Sequence, residues 1–297
     1  MRLVSLGDSF SCGEGVGLRI DLPQTWVGLL ASALPDCRWA DLAVAGATVG
    51  DVRAEQLPVA LAHRPDLVTL LVGLNDVVRA GFEPAQVAEH LSAVVETLLA
   101  SGAAVLLVRL HDPGAMLPIP QQLTGPLRRG LAVRVGVLQA TVDGLADRPG
   151  VHVLDLADVP GLGNAAGWAT DRIHPSAIGH RDIAVEASKL LRRAGRTVMP
   201  LASAAHGSGG PSAAAQLRWF VAHGLPWTAS HARSVALPLL AVAAGLSRRS
   251  APPVVPHARA APAQPGPAQP DPARPDPEPA ATARSPRDRR RPAAACG

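Results

Sequence analysis

Two hydrophobic patterns alternate along the first two thirds of the chain. Short, nearly unbroken apolar runs have the length of β-strands, and the longer segments between them carry apolar residues at helical spacing. The strand-like runs are residues 3–6, 40–44, 67–72, 103–110 and 151–156, and the helical segments are residues 25–34, 52–63, 84–101, 123–145 and from 175 to about 193. This alternation predicts an α/β fold over residues 1–196, a three-layer α/β/α sandwich around a parallel five-stranded sheet.

The residues after position 196 follow a different pattern. Residues 197–212 are rich in Ala, Ser and Gly, which is typical of a linker, and residues 213–250 predict two short helices that pack on the domain or meet a partner. Residues 251–297 hold 13 of the 29 prolines and almost no large apolar side chains. Such a segment cannot bury enough surface to offset the entropy of ordering, so we expect a disordered tail. The sequence does not indicate a partner for it.

Charge and cysteine content narrow the function classes. The chain of 297 residues has a formal net charge of +4, and +3 of it lies in the tail, where seven Arg face four Asp or Glu. The folded part is therefore nearly neutral, which argues against a nucleic-acid-binding face. Three cysteines without a CxxC pair indicate neither a disulfide framework nor a zinc site.

The N-terminus and the apolar runs bear on location. No basic segment followed by a long apolar core opens the chain, so no signal peptide is indicated. The longest late apolar run has about 12 residues, where about 20 are needed to span a bilayer. We therefore expect a soluble cytoplasmic protein without stable membrane insertion.

Polar and glycine-rich motifs follow the predicted strands. They are Gly7-Asp8-Ser9, Ala45-Gly46-Ala47-Thr48, Gly73-Leu74-Asn75-Asp76, His111-Asp112-Pro113 and, beyond the last strand, Asp171-Arg172-Ile173-His174-Pro175. The carboxyl ends of parallel strands open on one edge of a sheet, which is where α/β folds bind their ligands. We therefore expect these motifs to converge in space.

The residue types in these motifs fit acyl transfer. Ser9 can attack a carbonyl once a base takes its proton, and His174 is the natural base. Asp171 can orient the imidazole and stabilise its charged form. The backbone N–H groups of Ser9 and Gly46 and the side-chain amide of Asn75 can donate to the oxyanion of a tetrahedral intermediate.

Each motif taken alone also has a purely structural interpretation. Gly7-Asp8-Ser9 ends a strand and caps a helix, Asn75-Asp76 forms a turn or cap, and His174-Pro175 precedes a helix. Their occurrence together, in this order and at these places, is harder to explain by structure alone. Asp76 and His111 are further candidates for the substrate pocket, although His111 near Pro113 is equally well placed to cap a turn.

These residues resemble the four sequence blocks of the SGNH hydrolases, also called GDSL esterases and lipases. The matching positions are Gly7-Asp8-Ser9, Gly46, Gly73-x-Asn75-Asp76 and Asp171-x-x-His174, and the resemblance covers about residues 1–195. Phe10 stands where the family name has Leu.

The resemblance implies both a fold and a set of roles. The fold would be a flavodoxin-like α/β/α sandwich that needs no metal or other cofactor. Ser9 would be the nucleophile and first oxyanion donor, Gly46 and Asn75 the other donors, and His174 the base oriented by Asp171. The substrates of such proteins are acyl esters, thioesters or acetylated sugars.

Two other functions stay open at this point. The residue types of Asp8, Asn75, Asp76, Asp171 and His174 also ligate metals, as in a metal-dependent phosphoesterase, but the histidines are not paired and Ser9 would have no role. A catalytically silent binding module that uses the C-terminal segment is the other. The sequence favours a serine ester hydrolase that acts on a small-molecule ester through an acyl-enzyme, and it defines neither the acyl length nor the alcohol.

Overall fold

A five-stranded parallel sheet forms the centre of the molecule. The structure, a computed structural model, describes residues 1–111, 121–203 and 210–244. The strands are β1 (Arg2–Gly7), β2 (Glu14–Gly15), β3 (Leu18–Arg19), β4 (Arg38–Asp41), β5 (Leu67–Leu71), β6 (Ala104–Arg109) and β7 (Val151–Asp155). The sheet order is β4-β1-β5-β6-β7, and β2 and β3 form a separate antiparallel hairpin. Numbered along the chain, the sheet strands have the order 2-1-3-4-5 of flavodoxin-like folds, which confirms the predicted fold class.

Helices cover both faces of this sheet. They are α1 (Ser9–Cys12), α2 (Trp26–Ala33), α3 (Val49–Asp51), α4 (Leu57–Ala62), α5 (Leu74–Val78), α6 (Pro84–Ala100), α7 (Gln121–Leu145), α8 (Ala177–Arg193), α9 (Ala213–Trp219), α10 (Leu225–Ser230) and α11 (Leu237–Ala243). α2 packs against α8 in one layer and α6 packs against α7 in the other. Among the helices that the structure describes, none is both long and apolar enough to cross a membrane.

The central strands and α6 follow directly from the hydrophobic pattern. All five residues of β5 are buried, as expected of a parallel strand covered on both faces. In α6 the apolar residues at helical spacing form the buried face, and Pro84 occupies the first turn, where its missing N–H costs nothing. The buried residues of this face include Val87, Leu91, Val94, Val95 and Leu98.

The second strand begins earlier than the apolar run predicts. The run at residues 40–44 was expected to be the strand, but β4 spans Arg38–Asp41. It lies at the edge of the sheet and, among the strands that the structure describes, pairs only with β1, so polar side chains are tolerated there. Leu42 and Val44 leave the regular strand but still donate backbone hydrogen bonds to Ser5 and Gly7.

The helix predicted at residues 52–63 is divided. It begins at Val49 as α3, passes through a π-helical turn at Val52–Gln56 and continues as α4. The π turn adds a residue to the helical repeat and changes which side chain faces inward. Gln56, a polar residue at the end of this turn, is buried.

The residues that follow α8 form hydrogen bonds with the rest of the domain. Met199 donates its backbone N–H to Ala33, and Ser203 donates to the carboxylate of Asp182. The C-terminal segment, defined here as residues 210–244, forms α9, α10 and α11 with π-helical turns between them, where the sequence predicted two short helices. Residues 204–209 and 245–297, which include the rest of the predicted linker and the predicted tail, lie outside the described residues.

Candidate active site

Ser9 lies at the carboxyl end of β1, where the chain turns sharply into α1. Gly7 adopts a φ of 140°, and a Cβ there would lie 2.0 Å from the carbonyl oxygen of Leu71, so only glycine fits. Asp8 caps α1 by accepting a hydrogen bond from the N–H of Phe10 at 3.0 Å. The turn-and-cap interpretation of this motif is thus seen in the structure, and it is compatible with the chemical interpretation, since the cap fixes the position of Ser9.

His174 lies on a loop that precedes α8. A bridge between Trp168 and Pro175 closes this loop, and Ala169 donates its N–H to the carbonyl of His174 at 2.8 Å. Inside it, one carboxylate oxygen of Asp171 accepts the N–H groups of Ile173 and His174, each at 3.0 Å. The short spacing between Asp171 and His174 is thus part of a local turn that holds both side chains.

The structure brings Ser9, His174 and Asp171 into one hydrogen-bonded row. His174 Nε2 lies 2.8 Å from Ser9 Oγ, and His174 Nδ1 lies 2.5 Å from Asp171 Oδ2. The side chain of Asp171 is 1% exposed and that of His174 is 15% exposed. The imidazole therefore has a buried carboxylate on one side and a hydroxyl on the other, the arrangement in which a histidine can take a proton from a serine.

The hydrogen bonds around Asp171 keep its carboxyl ionised. Burial acts to raise the pKa of Asp171, but the hydrogen bond and charge of His174 and the two backbone N–H groups outweigh it, and the pKa is lowered. A stable anion at this point favours a proton on the imidazole Nδ1 and leaves Nε2 to accept one.

Asn75 connects the loops that carry Ser9 and Gly46. Its side-chain nitrogen Nδ2 lies 3.3 Å from Asp8 Oδ2, next to Ser9 in sequence, and 3.1 Å from the carbonyl oxygen of Ala47, next to Gly46. The three predicted oxyanion donors thus belong to adjoining loops. The amide of Asn75 already has protein acceptors, and the longer contact, to Asp8, is the weaker of the two.

Gly46 is fixed by a residue that the sequence analysis did not single out. Arg79 Nη2 donates to the Gly46 carbonyl oxygen at 2.6 Å, and Gly46 has a φ of 82°. Arg79 is in turn held by Arg134, which donates to the carbonyl oxygens of Val77 and Arg79. The positive φ explains the glycine, while the Arg79 contact depends on folding and leaves no signal in the sequence.

Two carboxyls next to these loops, the buried Asp8 and the half-buried Asp76, hold protons more tightly than usual. Burial raises the pKa of Asp8 to about 7, and the nearby charge of Asp76 adds to the effect. Burial likewise raises the pKa of Asp76 to about 6, although Asp76 accepts the N–H of Val49 at the start of α3. The pKa of each group is therefore closer to neutral pH than that of an ordinary aspartate.

A pocket of about 330 Å³ opens beside Ser9 and His174. The hairpin of β2 and β3 and the loop that carries His174 both contribute to its wall. The residues lining the pocket include Gly13, Gly15, Leu18, Arg19, Ile20, Ala166, Trp168, Ala169, Thr170, Pro175, Ser176, Ala177, His180 and Pro211. A row of reactive groups therefore faces a space large enough for a small ligand.

Neither of the two further pocket candidates, His111 and Asp76, is among the residues that line this pocket. His111 packs on Trp168, with ring centroids 4.9 Å apart, and it is Trp168 that lines the pocket. Asp76 holds the start of α3, as described above. Asp112 lies outside the described residues.

Other candidate groups have structural contacts. Burial raises the pKa of Cys12 to about 11, which leaves little thiolate near neutral pH. His180 accepts the backbone N–H of Trp26, and burial lowers the pKa of His180 to about 3. Within residues 1–111, 121–203 and 210–244, no three His, Cys, Asp or Glu side chains are grouped so that they could hold a metal ion.

Gly15 and Gln56 support the site and were missed by the sequence analysis. A Cβ on Gly15 would lie 2.8 Å from His174 Nδ1, so the hairpin covers the imidazole closely. Gln56 donates to the carbonyl of Gly7 and accepts its N–H, both at 2.9 Å. The glycine-rich stretch 13–17 hints at a tight turn, but its contact with a residue more than 150 positions away is a tertiary fact.

Comparison with known proteins places the chain in a family. The model of the GDSL-like lipase/acylhydrolase family matches residues 5–181, which is more than half of the chain. The matched residues include nearly all of the sheet and the Ser-His-Asp row at its carboxyl edge. The chain belongs to the GDSL-like lipase/acylhydrolase family, as the sequence motifs predicted.

Two curated proteins are similar over part of their length. The chain is 37% identical over 116 residues to esterase TesA of Pseudomonas aeruginosa, a match that covers 37% of this chain and 55% of that protein. It is 31% identical over 116 residues to an arylesterase of Vibrio mimicus, covering 38% and 56%. The matches thus span about half the length of these relatives.

Solved structures extend the likeness to the whole fold. A crystal structure of TesA superposes with a TM-score of 0.51 at 25% identity and covers 65% of this chain and 99% of that one. The psychrotrophic esterase EstA from Pseudoalteromonas sp. has the same TM-score at 18% identity and covers 65% and 97%. The second likeness shows the fold alone.

Proposed function

We propose that the protein is a serine ester hydrolase that cleaves a small-molecule acyl ester through an acyl-enzyme. The observation that carries the proposal is the hydrogen-bonded row from Asp171 through His174 to Ser9, with Nε2 to Oγ at 2.8 Å, beside an open pocket. Membership of the family and the names of the similar esterases support it.

The first half of the reaction forms the acyl-enzyme. Ser9 Oγ attacks the carbonyl carbon of the ester while its proton passes to His174 Nε2, and the carbonyl oxygen becomes an oxyanion. Asp171 stabilises the imidazolium that results. The carbon–oxygen bond to the alcohol then breaks, and the proton on Nε2 leaves with the alcohol.

The second half releases the acid. A water molecule gives a proton to His174 Nε2 and attacks the acyl-Ser9 carbonyl carbon. The new tetrahedral intermediate collapses, its bond to Ser9 Oγ breaks, and Oγ regains the proton from Nε2. The products are the carboxylic acid and the free enzyme.

The oxyanion is assigned to the backbone N–H groups of Ser9 and Gly46 and the amide of Asn75. Asn75 would exchange its 3.3 Å contact with Asp8 for the oxyanion. That contact lengthens at little cost, whereas a charge that develops on the substrate strengthens the new bond, so the donor acts mainly in the transition state.

Hydrolysis of a panel of p-nitrophenyl esters, graded by acyl length, tests the proposal. Ser9→Ala should lower kcat/KM by at least ~10⁴-fold, because it removes the nucleophile. Ser11→Ala is the matched control, since Ser11 is buried two residues away in the same short helix. Turnover of the Ser9→Ala protein at the wild-type rate, or no hydrolysis by the folded wild type of any ester in the panel, would contradict the proposal.

A further inference from the structure

The C-terminal segment lies along the mouth of the pocket. Trp219 Nε1 donates to the carbonyl of Val16 in the hairpin at 2.7 Å, and the ring of His223 covers Gly17, where a Cβ would lie 2.5 Å from it. Pro211 lines the pocket itself. The inner side of the segment is therefore packed on the wall of the candidate active site.

The outer side of the same segment is apolar and exposed. The exposed fractions are 65% for Leu217, 45% for Phe220, 58% for Val221 and 48% for Leu225, at spacings close to the helical period. A helix that only packs on its own domain turns its apolar stripe inward. A row of large apolar side chains turned outward is typical of an interaction surface.

Further exposed apolar side chains lie on α11, which packs on α7, and on the loops that carry Gly46 and His174. Leu237 and Leu240 of α11 are 57% and 63% exposed. Val44 and Ile173, on the loops that carry Gly46 and His174, are 57% and 42% exposed. The exposed side chains of Val44 and Ile173 therefore lie on loops at the carboxyl edge of the sheet, where the candidate active site opens.

The charge of the segment indicates what this surface binds. Residues 210–244 contain no Asp or Glu, and Arg218 and Arg233 are both exposed. An amphipathic helix with exposed large apolar residues, flanked by arginines and free of acidic groups, is complementary to a membrane surface that carries anionic lipids. The tail at 251–297 has only Val254 and Val255 as large apolar residues, too few to cover this face.

We propose that the outer face of the C-terminal segment docks on an anionic lipid surface. The apolar row of Leu217, Phe220, Val221 and Leu225 enters the interface, and Arg218 and Arg233 contact lipid phosphates. The mouth of the pocket then lies beside the layer in which acyl esters dissolve. The idea that this layer supplies the substrate rests on the proposed function, whereas the docking itself does not.

Sedimentation with large unilamellar vesicles tests the docking without reference to activity. The full chain should bind vesicles of phosphatidylglycerol and phosphatidylcholine more tightly than vesicles of phosphatidylcholine alone, and added salt should weaken the binding. The double variant Leu217→Ser/Val221→Ser should reduce the partition coefficient at least tenfold. Arg218→Gln/Arg233→Gln should reduce it severalfold on anionic vesicles only.

Matched variants separate this surface from the rest of the chain. Val59→Ser/Met199→Ser changes two apolar side chains that are 46% and 59% exposed elsewhere, and Arg192→Gln/Arg193→Gln removes the same charge from the end of α8. Both should bind as the wild type does. Equal binding by the Leu217→Ser/Val221→Ser protein would show that the tail or another surface carries the affinity and would overturn the proposal.

The mass of the protein in solution distinguishes docking on lipid from pairing with a second copy of the chain. If the wild type is a dimer, the Leu217→Ser/Val221→Ser protein is a monomer, and neither binds vesicles, the face is an interface between two copies and the proposal is wrong. If vesicle binding is lost selectively in the variants while hydrolysis of a water-soluble ester is unchanged, the docking is supported independently of the chemistry.

Discussion

At the residue scale, the candidate site contains two buried aspartates whose partners give them opposite properties. Asp171 faces the imidazole of His174 and two backbone N–H groups, and these lower its pKa although burial opposes them. Asp8 receives one backbone N–H and a long contact from Asn75, and burial raises its pKa to about 7. Asp171 is therefore a fixed anion beside the base, whereas Asp8 exchanges its proton near neutral pH.

The raised pKa of Asp8 makes a prediction about stability against pH. The folded chain keeps a proton on Asp8 up to about pH 7, while the unfolded chain releases it near pH 4, so stability is full below the unfolded pKa and falls as the pH rises toward 7. Asp8→Asn should flatten this decline. Melting temperatures between pH 4.5 and 7.5 measure it.

The control for Asp8 is an exposed aspartate. Asp66 forms an ion pair with Arg2, and its hydrogen bonds with Arg2 lower its pKa, so it is ionised in both states throughout this range. Asp66→Asn should leave the slope unchanged. An Asp8→Asn protein whose melting temperature falls with pH as steeply as that of the wild type would contradict the assigned pKa.

Gly15 gives a prediction about the position of the base. In Gly15→Ala the new methyl group would lie 2.8 Å from His174 Nδ1 and 3.2 Å from Asp171 Oδ2, so the imidazole must shift from its contact with Asp171. A displacement of this kind should lower kcat by about 10²-fold. Gly136→Ala, where the added Cβ meets nothing within 4 Å apart from chain neighbours and the nearby backbone of its own helix, should keep the wild-type kcat. Normal turnover of a folded Gly15→Ala protein would show that the hairpin does not constrain His174.

At this scale the sequence predicted the candidate reactive residues, and it missed the residues that hold them in position. Ser9, Asn75 and His174 are recognisable because reactive residue types stand directly after predicted strands or before a helix. Gly15 and Arg79 escape such reasoning, since an arginine or a glycine at a loop position has many uses and only the folded contact selects one. The catalytic roles of Ser9, His174 and Asp171 themselves remain predictions.

At the element scale, the end of β1 is set by a neighbouring helix. Gln56 lies at the end of the π-helical turn at Val52–Gln56, and its side-chain amide pairs with both the N–H and the carbonyl of Gly7. This pairing satisfies two buried backbone groups at the point where the chain turns toward Ser9. The apolar period of residues 52–63 predicts a helix but not the π turn that carries Gln56 inward.

Gln56→Ala should therefore destabilise the fold near the site. Removing the amide leaves the buried N–H of Gly7 without its acceptor, while the Gly7 carbonyl keeps the N–H of Val44. The loss should lower the free energy of unfolding by about 1–3 kcal/mol. Gln24→Ala changes an exposed glutamine and should have almost no effect. Urea unfolding of the three proteins compares them, and equal midpoints for Gln56→Ala and the wild type would show that the pairing contributes nothing.

Strand boundaries show the limit of hydrophobic pattern at this scale. The interior strand β5 follows its apolar run because both of its faces are buried. The edge strand β4 begins at Arg38, since an edge strand needs fewer apolar side chains and its start is set by pairing with β1. The hairpin of β2 and β3 has too few residues to produce a pattern.

At the scale of the whole molecule, the site occupies the place where the sheet order reverses. Ser9 follows β1 and Asn75 follows β5, the two strands between which the chain changes direction across the sheet. Open α/β sheets bind ligands at this crevice, so the fold class alone predicts where the motifs converge. The division into a domain at 1–196, a linker at 197–212, a helical extension at 213–250 and a disordered tail at 251–297 remains a prediction.

Truncation tests the last part of that division. Deleting residues 251–297 removes 13 prolines and hardly any large apolar side chain, so the free energy of unfolding should change by less than the roughly 1 kcal/mol that is typical of a point mutation. Thermal unfolding of the full chain and of the chain ending at Ser250 measures the difference. A large fall in melting temperature would mean that the tail belongs to the folded core.

Covalent labelling with a fluorophosphonate tests the central claim, that His174 activates Ser9 as a nucleophile. The wild type and Ser11→Ala should each gain one phosphonyl group, which peptide mass mapping places on Ser9, while Ser9→Ala should gain none and His174→Ala should react at least ~10³-fold more slowly. Labelling of Ser9→Ala at the wild-type rate, or a modified residue other than Ser9 in the wild type, would contradict the account.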